Sequence, residues 1–587
     1  MKRLLVYLKD YKKESIFAPL FKMLEASFEL FVPLVVADMI DTGISNKDGG
    51  YILRMGGLLL LLAVIGLICS ITAQYFAAKA ATGFAAKMKH ALFAHIQGLG
   101  YTEMDTQGTA TLITRMTSDS NQVQNGVNLV LRLFLRSPFI VLGAMVMAFM
   151  IDVQAALIFV VTIPLLSIVV FGIMMASIPL YKKVQARLDT VLGITRENLT
   201  GVRVIRAFHQ EEVETERFEE SNQTLTKVQM FVGRISALMN PLTFVIVNGG
   251  IMALIWSGAW KVDSGILTQG QVVALVNYMS QILVELVKLA SLIISITKAL
   301  ACAKRIEGVF EMQSSLVEEN KGTDGWNKEE PIIVDFNHVT LQYKNAAAPS
   351  LIDIDFHVRR GETVGIIGGT GSGKTSLVNL IPRFYDVTEG SVCINGVDVK
   401  KFALNGLRNR IGIVPQKAVL FAGSIRENLR WGKEDATEKE MEEALNISQA
   451  IEFVERREDG LDAMVTQGGK NLSGGQRQRL TIARAIIRKP DILILDDSAS
   501  ALDFATDAKL RKAIKEMKNK PTVFIVSQRA ASIQYADQII VLDDGMVAGI
   551  GKHDELLKSC SVYQEIYYSQ FRNPNPVQVD VTKREEK

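Results

Sequence analysis

Six apolar stretches, near residues 16–40, 52–83, 129–151, 153–178, 242–261 and 270–299, restrict this chain more than any other feature. Each is long enough to cross a bilayer as a helix, which takes about 20 residues. Backbone placed in hydrocarbon must satisfy its own hydrogen bonds, so these stretches are expected as helices packed on one another. Several run longer than a span requires and should continue into water. The 587 residues are 48% hydrophobic and 22% charged, with a mean hydropathy of +0.20. That mixture is expected when a membrane half is joined to a water-soluble half. A net charge of +3 is too small to imply a nucleic-acid partner, and none is expected. Cys69, Cys302, Cys393 and Cys560 show no C-x-x-C or metal-ligand spacing and read as isolated small apolar residues.

Charge sets the expected topology. The N-terminal end carries Lys2, Arg3, Lys9, Lys12 and Lys13 and lacks a small-residue cleavage site. It reads as an amphipathic segment at the membrane surface, not a signal peptide. The stretch between the fourth and fifth apolar runs carries Lys182, Lys183, Arg187, Arg196, Arg203, Arg206, Arg217, Lys227 and Arg234, whereas the connections near 42–51, 152 and 262–269 are poor in Lys and Arg. The positive-inside rule then places both termini and the two long loops in the cytoplasm of a multi-pass protein of the cell (inner or plasma) membrane.

Residues 313–331 are polar, with Gly322 and Gly325, and read as a linker between a membrane domain, 1–312, and a second domain, 332–572. In the second domain the apolar runs Val364–Ile367, Ile411–Val414, Ile492–Leu495 and Thr522–Val526 alternate with helical segments. That pattern predicts an α/β fold around a mostly parallel sheet. The charged tail 573–587 is expected to be disordered.

Two motifs in the second domain carry chemistry. Gly368-Gly369-Thr370-Gly371-Ser372-Gly373-Lys374-Thr375, continuing into Ser376, follows a predicted strand and opens a helix. In that context it is a phosphate-binding loop: its glycines let backbone N–H groups approach phosphate oxygens. Lys374 is expected to reach the β- and γ-phosphates and Thr375 to ligate Mg²⁺. Asp496, ending the strand 492–496, is expected to hold the ion through water. The second motif is Leu472-Ser473-Gly474-Gly475-Gln476, a helix start whose Ser473 and glycine N–H groups suit a γ-phosphate.

In this order the two motifs resemble the nucleotide-binding domain of ATP-binding-cassette (ABC) proteins. With the apolar runs, nearly the whole chain resembles one half of a type IV exporter, in which a six-helix membrane domain precedes an α/β P-loop domain. The resemblance implies ATP and Mg²⁺ as cofactors. It also implies that Tyr343 stacks on adenine, although a core or edge-strand tyrosine would look the same. Gln416 then belongs to a loop contacting Mg²⁺ or water, and Asp503 to a loop crossing between two such domains. The segments 101–108 and 197–208 resemble loops that couple the membrane helices to the nucleotide-binding domain. By resemblance, Ser473 to Gln476 grip ATP held by a partner subunit.

Two positions depart from the family pattern. Asp497 stands where the family usually has a Glu that polarises the attacking water, and Gln528 where it has a His that contacts the γ-phosphate. A misplacement of about 1 Å can cost on the order of 100-fold, and loss of general-base help about 10²–10⁴-fold. The resemblance therefore implies a site that binds ATP and hydrolyses it poorly, in a heterodimer whose second half-transporter carries the Glu and His. Expected cargo is a small amphipathic compound, multidrug or lipid-like, moved by alternating access. A dedicated peptide or metabolite exporter and an ATP-gated regulatory membrane protein remain alternatives. Within the apolar runs, Glu25, Glu285 and Lys288 are candidates for function. Either Glu285 and Lys288 neutralise each other or lie near a water-filled interior, or Glu285 or Glu25 lines the translocation cavity and favours cationic amphiphiles.

Overall fold

The computed structural model describes residues 3–316, 326–327 and 329–571. Met1, Lys2, much of the linker 313–331 and the tail 573–587 lie outside the described residues. The chain divides into two compact units, Met1–Gln97 with Ala110–Met312, and Gly98–Thr109 with Gln313–Lys587.

The first unit is helical. Among the described residues five helices, Gly49–Gln97, Thr109–Ile151, Val153–Ala207, Glu211–Asp263 and Gln269–Glu311, are long and apolar enough to cross a membrane. Six were expected. The first apolar run is also a helix, Lys12–Asp38, but it carries Lys22, Glu25 and Glu29 and does not meet the same criterion of length and composition. Val153–Ala207 has 55 residues, about 80 Å at 1.5 Å per residue. A hydrocarbon core of about 30 Å takes up less than half of it.

Polar residues set the helix ends. Asp152, in extended backbone, accepts the Ala155 N–H at 2.6 Å and an Nζ–H of Lys261 at 2.5 Å, breaking the chain between two long helices. Thr268 and Gln271 form a capping box that starts Gln269–Glu311. Small residues let the helices approach, as expected where apolar burial alone gives little drive. Ala73, Ala77, Ala80 and Ala81 are fully buried, and a Cβ on Gly126 would lie 2.2 Å from the Ala299 Cβ.

A buried charge network gives the intramembrane carboxylates their partners. Glu285 is 3% exposed and accepts from Arg136 at 2.7 Å, Ser137 at 2.7 Å and Lys288 at 3.0 Å. The second terminal nitrogen of Arg136, Nη2, donates to Glu29 at 2.5 Å, and Lys22 Nζ donates to Glu25 at 2.5 Å. The pairing of Glu285 with Lys288 is therefore present, but the main counter-charge is Arg136. Neither Glu285 nor Glu25 presents a free carboxylate to attract a cation.

The second unit is built on a six-stranded sheet, in the order Met546–Gly551, Gln538–Asp543, Thr363–Gly368, Thr522–Val526, Ile492–Asp496, Ile411–Val414. All neighbours are parallel except the first pair. Residues of the three central strands are almost all buried, which is why they read as continuous apolar runs. A four-stranded antiparallel sheet runs in the order Leu351–Arg359, Ile332–Leu341, Glu389–Ile394, Val397–Asp398. Register aligns Ile366 with Val526 and Val526 with Asp496. The carboxyl ends of three adjacent strands therefore share one edge, where ligands of open α/β sheets bind.

Candidate nucleotide site

At that edge Thr363–Gly368 passes into the phosphate loop. Gly368 permits a close approach: a Cβ there would lie 2.1 Å from the Leu542 carbonyl oxygen. Gly371 and Gly373 have φ of +87° and +93°, a region that L side chains rarely adopt. The helix Lys374–Leu380 follows. Lys374 folds back over the loop, its Nζ donating to the carbonyls of Gly369 at 2.5 Å and Gly368 at 3.0 Å and to Ser372 Oγ at 3.2 Å. Burial holds its ammonium below the usual lysine range, against the opposing pull of Asp497 and Asp496.

Thr375 Oγ1 donates to Asp496 Oδ1 at 3.3 Å. Burial raises the Asp496 carboxyl above its ordinary value; the Thr375 hydroxyl lowers it and the neighbouring Asp497 charge raises it. Asp497 is also raised by burial, partly offset by a hydrogen bond from Gln416 and by Arg529 and Lys374. Two carboxylates and a hydroxyl thus converge where the ionised forms are disfavoured, a donor set that suits a hard divalent cation. Among the described residues no group of three His, Cys, Asp or Glu could hold a metal. Mg²⁺ fits such a place because it keeps waters and takes phosphate oxygens.

Tyr343 is half-buried and donates its hydroxyl to Ser376 Oγ at 2.9 Å, which ties the expected adenine platform to the helix of the phosphate loop. Gln416 is exposed and meets Asp497. Asp497 has φ +45°, a conformation that Asp tolerates better than most residues, and its N–H donates to the Val526 carbonyl at 3.0 Å. Gln528 is exposed; its carbonyl accepts from Gln570 Nε2 at 2.7 Å while Gln570 Oε1 accepts the Ala530 N–H at 2.9 Å. Nothing in the sequence pattern singled out Gln570, which braces the Gln528 turn from 42 residues away.

Ser473 and Gln476 lie apart from this cluster. Ser473 caps the helix Gly474–Ile486 in a capping box: Gln476 N–H donates to Ser473 Oγ, and Ser473 N–H to Gln476 Oε1 at 3.0 Å. Ser473 and Gly474 are exposed, and nothing lies within 4 Å of a Cβ on Gly474. Among the described residues no hydrogen bond links Ser473–Gln476 to Gly368–Thr375. Asp503 caps the helix Phe504–Lys515, accepting from Thr506 N–H at 2.9 Å.

A family model for the ABC transporter transmembrane region matches residues 15–286, and one for the ABC transporter matches residues 351–500. An uncharacterized ABC transporter ATP-binding protein of Mycobacterium tuberculosis is 35% identical, covering 96% of this chain and 97% of that protein. The chain belongs to the ABC transporter family. The uncharacterized ABC transporter ATP-binding protein YfiB of Bacillus subtilis is also 35% identical, over 97% of this chain and 99% of its own. An ATP-dependent lipid A-core flippase of Yersinia pestis is 29% identical over 97% of each chain. A solved bacterial Atm1-family ABC exporter with ATP bound superposes with a TM-score of 0.80, covering 96% of this chain and 100% of its own at 21% identity, a likeness of fold. This transporter is thus a multi-pass permease fused to an ATP-binding domain with the type IV exporter fold, and its family implies ATP-driven transport.

Proposed function

We propose that the chain is one half of a heterodimeric ABC exporter. In this reading it holds one ATP in a weak site and lends its Ser473–Gln476 turn to the hydrolytic site of a partner with Glu and His at the positions of Asp497 and Gln528. The observation that carries the proposal is the contrast between an intact, outward-facing Ser473 cap and the two departures at Asp497 and Gln528. An intact cap has no use if both composite sites are inert. When bound, Mg²⁺ supplies positive charge to the phosphate oxygens; Thr375 and Asp496 hold its place, Lys374 binds phosphate, and Tyr343 stacks the base. Asp497, with Gln416 on its carboxylate, orients water only weakly, and Gln528 offers a hydrogen bond without charge.

A second subunit also accounts for surface that a lone chain leaves open. A groove of about 1510 Å³ is lined by Val419, Phe421 and Trp431, which are 42%, 44% and 62% exposed. Leu199, Val204 and Phe208, near the end of the helix Val153–Ala207, are 73%, 61% and 70% exposed. Apolar exposure of this kind marks docking surface. The helix Lys12–Asp38 is the sixth span, its charges neutralised in the pairs Lys22–Glu25 and Arg136–Glu29. The membrane domain covers 1–312 and the nucleotide-binding domain 332–572, with both termini in the cytoplasm.

A cavity of about 450 Å³ beside Glu29, Gln281, Glu285 and Lys288 also has Val32 and Val284 in its wall. That mixture of polar and apolar lining suits an amphipathic cargo, multidrug or lipid-like, and the name of the Yersinia relative favours a lipid. Purification of the tagged chain from its own membrane tests the assembly. A second half-transporter should co-purify, ATPase activity should require both chains, and this chain alone should show almost none. Full activity from this chain alone would end the proposal.

A further inference from the structure

The segment Gly98–Thr109 clusters with the nucleotide-binding unit and not with the helices on either side of it. Its helix Tyr101–Gln107 is capped by Glu103, whose Oε2 accepts the Gly100 N–H at 3.1 Å and the Ser315 hydroxyl at 3.4 Å. Tyr101 packs against Phe384 with the rings tilted by 35° and their centroids 4.6 Å apart, and the Arg408 guanidinium lies 5.2 Å from the Phe384 ring. Tyr385 donates its hydroxyl to Asp105 Oδ2 at 2.6 Å. Burial keeps that hydroxyl far above the usual tyrosine range, so it stays a donor at physiological pH.

Tyr385 also reaches the nucleotide side. Its ring meets Tyr343 edge-on, with centroids 5.0 Å apart and planes at 86°, an arrangement favoured by the ring quadrupoles. Tyr343 is anchored by its hydroxyl to Ser376, one residue past Thr375. Tyr385 stands beyond the helix Lys374–Leu380 on a turn held by buried Arg383, whose Nε donates to Asp386 at 2.7 Å. The position expected to hold adenine and the helix Tyr101–Gln107 are therefore joined through Tyr385, by its edge contact with Tyr343 on one side and, on the other, by its hydrogen bond to Asp105 and a tilted ring contact with Tyr101 at 5.9 Å.

We propose that Tyr385 and Asp105 are positioning residues that couple occupancy of the adenine position on Tyr343 to the helix Tyr101–Gln107, and that they do so without contributing to ATP affinity. The proposal rests on the assignment of Tyr343 as the adenine platform. A base stacking on one face of Tyr343 biases the tilt of a ring pivoted at Ser376. The edge contact passes that tilt to Tyr385, and the charge-assisted bond to Asp105 carries it into the helix.

Hydrogen exchange on the full-length protein, in the assembly purified from its own membrane, tests this. Mg-ATP should slow exchange across 101–107, while magnesium tripolyphosphate, which has no base, should not. In Tyr385→Phe and in Asp105→Ala the ATP-dependent protection should fall at least about fivefold, with the Kd for a fluorescent ATP analogue at this chain within about twofold of wild type. The double variant should lose no more than either single one, because both break the same bond. Unchanged protection in Tyr385→Phe, equal protection by tripolyphosphate, or loss in proportion to ATP affinity would each overturn the coupling. Tyr343→Ala separates the underlying assignment: unaltered ATP affinity there removes the adenine platform itself, whereas weakened affinity with intact protection in Tyr385→Phe removes only the relay.

Discussion

The side chains of Ser372, Lys374 and Thr375 in the loop Gly368–Thr375 are engaged by the phosphate loop itself or by Asp496, whereas the turn Leu472–Gln476 leaves Ser473 and Gly474 exposed. Lys374 bonds the loop's own carbonyls, Thr375 bonds buried Asp496, and Ser372 is 4% exposed. Ser473 and Gln476 bond each other and otherwise stand open, with Gly474 unobstructed beside them. Both elements are suited to phosphate, but only the first has a side chain tied to a distant strand end, through Thr375 and Asp496. A self-contained loop serves ATP within its own chain, and an open helix start serves a ligand arriving from outside. Substitutions on the two sides should therefore separate binding from hydrolysis.

The largest expected effect lies on the open side. Ser473→Ala should lower ATPase of the assembled transporter about 100-fold, the usual cost of removing one donor aimed at developing charge. ATP affinity of this chain's own site should not move. Loss of a helix cap also costs about 1 kcal/mol, so a thermal midpoint measured alongside separates damage to the fold from damage to catalysis. A smaller effect, of opposite sign, is expected on the closed side. Asp497→Ala should leave assembled ATPase within about twofold, while Asp497→Glu with Gln528→His should raise hydrolysis at this chain's site at least about tenfold, the lower range of general-base gains once strain is allowed for. Comparable loss from Asp497→Ala and Ser473→Ala would erase the comparison.

The smallest effect concerns Asp496, whose carboxyl burial holds above the ordinary 3.8. A raised value means the folded state keeps the proton more tightly than the unfolded chain. Stability from that proton is complete below pH 3.8 and is lost as pH rises through the folded value. At neutral pH without nucleotide, Asp496→Asn should therefore raise the melting temperature by about 1–4 °C, and the gain should vanish toward pH 4. A gain that persists undiminished at low pH would mean that burial of the charge is not its cause.

Local chemistry was legible in the sequence where a motif is contiguous. The phosphate loop, the Ser473 capping box and the strands 364–367, 411–414, 492–495 and 522–526 each read from neighbouring residues, because glycine spacing and apolar runs act over a few positions. Contacts set by long-range packing were not. Arg136 sits within an apolar run and shows its role only when Glu29 and Glu285 arrive from other helices. Tyr385 reads as an ordinary aromatic until Asp105, 280 residues earlier, closes the hydrogen bond. The first apolar run was legible as a helix but not as a simple span, since three charges inside it take their partners from elsewhere or one turn away.

The seat of the helix Tyr101–Gln107 has a consequence for synthesis. Tyr101 and Asp105 leave the ribosome long before Phe384 and Tyr385 exist, and the 280-residue gap between Asp105 and Tyr385 takes roughly 15–55 s at 5–20 residues per second. Through that interval Tyr101 and Asp105 lack the partners they have in the complete chain. Completing the nucleotide-binding unit thus also completes an early part of the chain. A chain truncated before Phe384 would leave Tyr101, already 46% exposed in the complete chain, without its ring partners and Asp105 without its hydrogen-bond donor.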